Sequence, residues 1–243
     1  MIFQWPGNKD ILVCATVGVL MYLMASTKSA RTRGVIVSLP IPMTLILWSK
    51  AGMQITAGHV LGMALLVGFF WTNWLLYAKL RLPIIASMAV TTIGYVIIGS
   101  CTRRAPWPPY WFALGYAVIW LVYVLKLYSP RHEPVAPGRI PPWSKALGTF
   151  AVCMFFFSLA ETIGPALATA PLLSYFTVIE CRKFLRTICL EFSKNGVAIM
   201  AYFVAYGALP QQPFLVRAGL AWAGVFATFA VIWLIVPPPR AEK

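Results

Sequence analysis

The sequence predicts an all-α fold: a polytopic transmembrane helix bundle of about nine helices, two inverted four-helix repeats joined by a connecting helix. Three observations carry this expectation. Of 243 residues, 60% are hydrophobic and only 11% charged, whereas a soluble domain carries about 25% charged residues. Apolar stretches recur from Ile11 to Val236 with short polar punctuation, as expected of helices that satisfy their own backbone in lipid. Finally, the basic residues switch loops between the two halves of the chain.

The apolar stretches place spans near 11–26, 34–49, 57–78, 83–100, 107–127, 146–162, 165–181, 195–209 and 217–236. The N-terminal "MIFQWPGNKD" lacks the basic region and small-residue cleavage site of a signal peptide, so Ile11 to Ala25 reads as a retained first span. The polar, proline-rich "SPRHEPVAPGRIPPWSK" reads as an exposed linker. The organisation is therefore a first membrane repeat (1–101), a connecting helix (102–128), a cytoplasmic linker (129–145) and a second repeat with a short tail (146–243).

A net charge of +14 would suggest nucleic acid in a soluble protein. In this setting it is what basic cytoplasmic loops produce, and nucleic acid is excluded as a partner. Alternating the spans puts five basic residues on the side of the N-terminus and fifteen on the other. The richer side is cytoplasmic by the positive-inside rule, which leaves the N-terminus outside and the C-terminus inside. The localisation expected is a bacterial inner membrane. Trp5, Trp48, Trp107, Trp111, Trp143 and Tyr128 near span ends fit interfacial aromatic belts.

A shift of about 131 residues lays Ser38-Leu39-Pro40 over Thr169-Ala170-Pro171 and pairs spans one to four with spans six to nine. "LLYAKLRLP" then falls near "FVAYGALPQQP", with a small change of offset. The charges support the match. Lys28, Arg31 and Arg33 precede span two, while the corresponding loop before span seven holds only Glu161. Lys50 alone follows span two, while Arg182, Lys183, Arg186 and Lys194 follow span seven. Two homologous halves of opposite orientation require this reversal, and the unpaired fifth span supplies the crossing that inverts the second half.

In this arrangement the chain resembles the drug/metabolite transporter type of small helical carriers. The resemblance is architectural, covers roughly residues 11–236 and implies alternating access about a shared site. The small multidrug members of that group use a membrane-embedded glutamate in their first helix. Ile11 to Ala25 contains no acid, which argues against proton-coupled export of cationic drugs.

Candidate residues follow from cost. Glu161 and Glu180 lie at the ends of apolar segments, and an ionisable group at membrane depth is expensive to keep. For Glu180 the expectation is an interfacial ion pair with Arg182, Lys183 or Lys194. Gly34 to Trp48 and Pro165 to Glu180 each form roughly 22 Å of helix, short of the ~30 Å hydrocarbon core. Short, interrupted spans at matching positions are the best sequence pointer to a carrier's central site. The substrate-binding candidates are Ser38, Pro40, Pro42, Thr44, Glu161, Thr169, Pro171 and Ser174. Asn73 and Asn195 are expected to make polar contacts between helices.

No enzyme signature is found: no acid pair suited to magnesium, no HExxH, no GxSxG and no P-loop. His59 and His132 are isolated, and the five cysteines lack CxxC spacing. Neither a metal nor a cofactor is expected, and the cysteines read as reduced packing residues. The leading expectation is a carrier of a small organic anion, neutral metabolite or lipid-linked group. Its partners are the lipid bilayer and a small-molecule substrate, with a homodimer allowed. The alternative is a non-transporting scaffold or accessory subunit of an envelope or biosynthetic complex.

Overall fold

The structure, a computed structural model, describes residues 7–50, 53–101, 109–128, 140–163 and 174–236. Those residues form helices and no β-strand. Helix α1 (Asn8–Ser26) begins where the Asp10 carboxylate accepts the Gly7 amide at 3.2 Å, so it starts three residues before the expected span. The second span is two helices, α2 (Ala30–Val37) and α3 (Ile41–Ser49). Ser29 opens α2 by accepting the Thr32 amide on its hydroxyl, a normal N-cap.

Helix α4 (Ala57–Trp74) ends in a π-type turn over Leu75–Lys79, after which Arg81 takes the left-handed conformation at φ 59°. The turn closes with the Leu80 amide on Leu75 and the Leu82 amide on Leu76. Helices α5 (Ile84–Cys101) and α6 (Pro109–Leu127) follow. In the second half come α7 (Pro142–Ile163), α8 (Ser174–Glu180), a 3-10 turn over Arg182–Phe184, α9 (Leu185–Ala208) and α10 (Phe214–Ile235). Among the described residues, six helical stretches are long and apolar enough to cross a membrane. The protein is a multi-pass helical membrane bundle.

The packing obeys a two-fold relation between the halves. Helix α1 packs most extensively on α7, and α4 packs on α9, so the first helices pair with each other and so do the third. The α4–α5 contact of the first half has its counterpart in α9–α10 of the second. At an offset of 130, Pro83 meets Pro213, and each proline carbonyl accepts the amide four residues on, from Ser87 and Arg217. The buried faces then coincide: Ser87, Met88, Thr91 and Tyr95 of α5 correspond to Arg217, Ala218, Ala221 and Val225 of α10. Exposed positions correspond as well, Ile85 with Leu215 and Val90 with Leu220. Equal offsets in burial, not merely in composition, are what a structural repeat requires.

Helix α9 is the centre of the bundle, with 78% of its most apolar stretch buried against 22% for α10. Phe192 of α9 meets Phe70 of α4 at 4.7 Å between ring centroids. Helices α5, α6 and α10 instead carry exposed aliphatic and aromatic side chains along their outer faces, which in a bilayer meet lipid tails.

Helix ends gather in two sets, as alternating crossings demand. One set joins the end of α1, the starts of α2, α7 and α9, and the ends of α6 and α8, through Arg33, Lys145, Glu180, Arg31, Glu191 and Tyr128. The other joins the starts of α1, α4 and α10 with the ends of α3 and α9. Lys50 pairs Asp10 at 3.3 Å, His59 faces Phe203, and the Arg217 guanidinium lies 3.9 Å over the Tyr206 ring.

Two further boundary shifts bury charges that the sequence expectation left outside the helices. Helix α9 starts at Leu185 rather than near 195, so Glu191 and Lys194 lie inside it and are buried. Helix α7 starts at Pro142, which places Lys145 in the helix, 1% exposed, rather than in the linker. In both cases a charged residue looked like loop and is paired inside the fold.

Candidate functional site

The proline pair divides the second span near its middle. Pro42 has no amide for the Ser38 carbonyl, and Pro40 none for that of Ile36, so the α2 ladder stops there. The Ile36 carbonyl accepts the Leu39 amide at 3.2 Å instead, which tightens the last turn. Ser38 is buried and donates its hydroxyl to the Val35 carbonyl at 2.7 Å. Pro40 is buried at the junction and its carbonyl accepts the Thr44 hydroxyl at 2.9 Å. Pro42 is half-buried in the first turn of α3, where its fixed φ suits a helix start.

Thr44 also accepts the indole N–H of Trp222, from α10, at 3.2 Å. On the opposite side of the repeat relation, the Thr92 hydroxyl of α5 bonds the Tyr175 hydroxyl of α8, again at 3.2 Å. Thr44 and Tyr175 are 131 residues apart, and Thr92 and Trp222 are 130 apart. These are the two offsets already set by Pro40 with Pro171 and Pro83 with Pro213. Helix α3, which follows the Pro40–Pro42 break, and helix α8 are therefore each tied, at matching positions, to the last helix of the other half. An aromatic ring backs each tie: Tyr202 lies edge-on to Trp222, and Phe69 edge-on to Tyr175.

Of the other sequence candidates, Ser174 is buried at the start of α8, next to Tyr175. Thr169, Pro171 and the Glu161 side chain lie outside the described residues. Asn73 does join helices, donating to the Thr91 hydroxyl of α5 at 2.8 Å. Asn195 is buried in α9 with its amide nitrogen unpartnered, as is the Thr149 hydroxyl in α7.

The second feature lies at the end where α1, α2, α6, α7, α8 and α9 meet. Two carboxylates are held there, each between two cations. Glu180 takes Arg33 at 2.6 Å on one oxygen and Lys145 on the other. The rest of the Arg33 guanidinium is consumed by the Ala25 and Thr27 carbonyls at the end of α1. Glu180 is thus an ion-paired residue, as expected, but its partners come from α2 and α7 rather than from its neighbours Arg182 and Lys183 or from Lys194. Burial excludes those exposed neighbours from the pair.

Glu191 takes Lys194 at 2.6 Å, Arg31 at 3.3 Å and the Tyr128 hydroxyl at 2.7 Å. Tyr128 is turned inward to this carboxylate rather than standing in an aromatic belt, whereas Trp48, Trp111 and Trp143 are exposed. Burial and the Glu191 carboxylate push the Tyr128 phenol well above its usual range, so it stays a proton donor. Gly34 lets α2 approach: a Cβ there would stand 2.9 Å from the Glu191 Cβ.

Glu191 and Lys194 were not among the sequence candidates. The signal that could have found them is their spacing of three in an apolar run, which places an ion pair on one helical face. A polar belt surrounds them: Trp71 donates to Ser193 at 2.8 Å and Trp120 to the Lys194 carbonyl at 2.6 Å. All five cysteines are free, four of them buried, and no cluster among the described residues could hold a metal ion.

Comparison with protein-family models, with curated proteins and with solved structures finds no match for this chain.

Proposed function

We propose that the protein is a membrane carrier of the drug/metabolite transporter type, moving a small organic anion, neutral metabolite or lipid-linked group by alternating access. The observation that carries this reading is the reciprocal pair of ties, Thr44 with Trp222 and Thr92 with Tyr175. Alternating access asks that each half hold the interrupted helix of the other in an equivalent grip, so that releasing one grip and tightening the other exchanges the open side. A hydrogen bond of about 1 kcal/mol in such a position is strong enough to orient a segment and weak enough to break in the cycle.

The charge distribution supports an orientation with the N-terminus outside and the Arg31–Arg33–Lys145–Lys194 end facing the cytoplasm. Ser38, Thr44, Ser174 and the Ser38 carbonyl, to which Pro42 has no amide to donate, supply the polar groups around the interrupted helices.

Purified protein in proteoliposomes, offered a panel of labelled organic anions and neutral metabolites, tests the reading. Saturable uptake that falls in Thr44→Val and Thr92→Val variants is expected. Uptake no greater than in empty vesicles across the panel, from protein that remains folded, would favour an accessory subunit instead.

A further inference from the structure

The carboxylate triads leave charge uncompensated. Among the described residues Arg33, Lys145, Lys194 and Arg31 face only Glu180 and Glu191, so there the cations exceed the anions by two. Arg31 is about one-third exposed and can use water, and Lys194 adds Tyr128 to its carboxylate. Lys145 is different. It is 1% exposed, and among the described residues its ammonium has a single partner, Glu180, which it shares with Arg33.

An ammonium offers three donors, and a buried cation without full compensation is costly. One helical turn along the same face of α7, Thr149 is equally buried and its hydroxyl has no partner. A cation with spare donors and an idle hydroxyl, four residues apart on one helix, form half of a binding site.

We propose that Lys145 and Thr149, with Arg33 behind them, form an oxyanion site that takes a carboxylate or phosphate group. Glu180 is then the internal anion that keeps the site neutral enough to fold when empty. The incoming group adds the charge that Glu180 cannot supply to both Arg33 and Lys145. Its source is a soluble metabolite or the headgroup of an anionic lipid, since basic sites between helix ends serve both. The site includes Arg33 of α2 and borders Glu180 at the end of α8, and its occupancy is measurable without transport.

Full-length protein in nanodiscs of phosphatidylcholine is titrated with inorganic phosphate and with succinate, with chloride as control, and Tm is recorded. A parallel sample uses nanodiscs containing phosphatidylglycerol and no added solute. A ligand of the folded state raises Tm in a saturable way. Lys145→Gln should abolish the rise. Thr149→Val should leave the unliganded Tm unchanged or higher, because it removes an unpartnered buried hydroxyl, and should weaken binding about tenfold.

A rise with phosphate or succinate, lost in Lys145→Gln, supports the site with a soluble ligand. A rise only with phosphatidylglycerol, lost in the same variant, supports it with a lipid headgroup. No rise with either source, or a rise that both variants keep, overturns the proposal and leaves Lys145 as a structural partner of Glu180. Because Tm does not depend on uptake, a protein that binds phosphate yet transports nothing would sink the carrier reading alone.

Discussion

The Arg33 guanidinium stands 2.6 Å from the Glu180 carboxylate, a contact across 147 residues of sequence that joins the first repeat to the second. Both side chains are nearly inaccessible, at 2% and 6%. Such a pair adds little over apolar packing when intact, but removing Glu180 strands both Arg33 and Lys145. Glu180→Gln should therefore lower the unfolding free energy by about 3 kcal/mol. Arg33→Gln should cost less, because Glu180 keeps Lys145, and the double variant should lose less than the sum of the two. Chemical denaturation in detergent, read as a double-mutant cycle, measures the coupling. Additive losses would show that the two groups do not depend on each other.

The same end of the bundle makes a steric prediction. A Cβ added at Gly34 would stand 2.9 Å from the Glu191 Cβ and 3.8 Å from the Ile188 Cα, so a methyl group there drives α2 away from α9. Gly94, in the middle of α5, has nothing within 4 Å of an added Cβ. Gly34→Ala should destabilise by about 1–3 kcal/mol and loosen the Arg31–Glu191 pair. Gly94→Ala should be neutral or stabilising by up to about 1 kcal/mol, through helix propensity alone. Thermal unfolding of the two variants side by side checks the contrast, and equal effects would contradict the close approach of α2 to α9.

The repeat relation is testable through its two ties. Thr44→Val and Thr92→Val remove hydroxyls that occupy related roles in opposite halves. Each should cost about 1 kcal/mol or less in stability. Their effects on the conformational balance should be opposite in sign, because one variant frees α3 from α10 and the other frees α8 from α5. Accessibility of single cysteines introduced at the two ends of the bundle reads the balance. A shift in the same direction for both variants would contradict a two-fold exchange.

Much of this was legible in sequence because it is local. Pro40 and Pro42 break a ladder by chemistry that no tertiary contact can repair, and the break falls where they stand. The matching of Pro83 with Pro213 also appeared as a change of offset, and the buried faces of α5 and α10 follow it residue by residue. What escaped was the burial of charge. Glu191, Lys194 and Lys145 look like loop residues because a lone ion in lipid is prohibitive. They become tolerable only through Arg31, Tyr128, Arg33 and Glu180, which lie far away in the chain. Sequence shows the cost of a charge but not the partner that offsets it.

Orientation is best tested on Cys101. It is the exposed member of the five cysteines and lies at the end of α5, whereas Cys14, Cys153, Cys181 and Cys189 are buried. The expected topology puts that end of α5 outside the cell, on the side poor in basic residues. A membrane-impermeant maleimide applied to intact cells should therefore label the native protein once, and Cys101→Ser should abolish the signal. Labelling that requires permeabilised cells would reverse the orientation and place the Arg33–Glu180–Lys145 cluster on the outer face. Labelling at several cysteines without denaturant would contradict the burial of the other four.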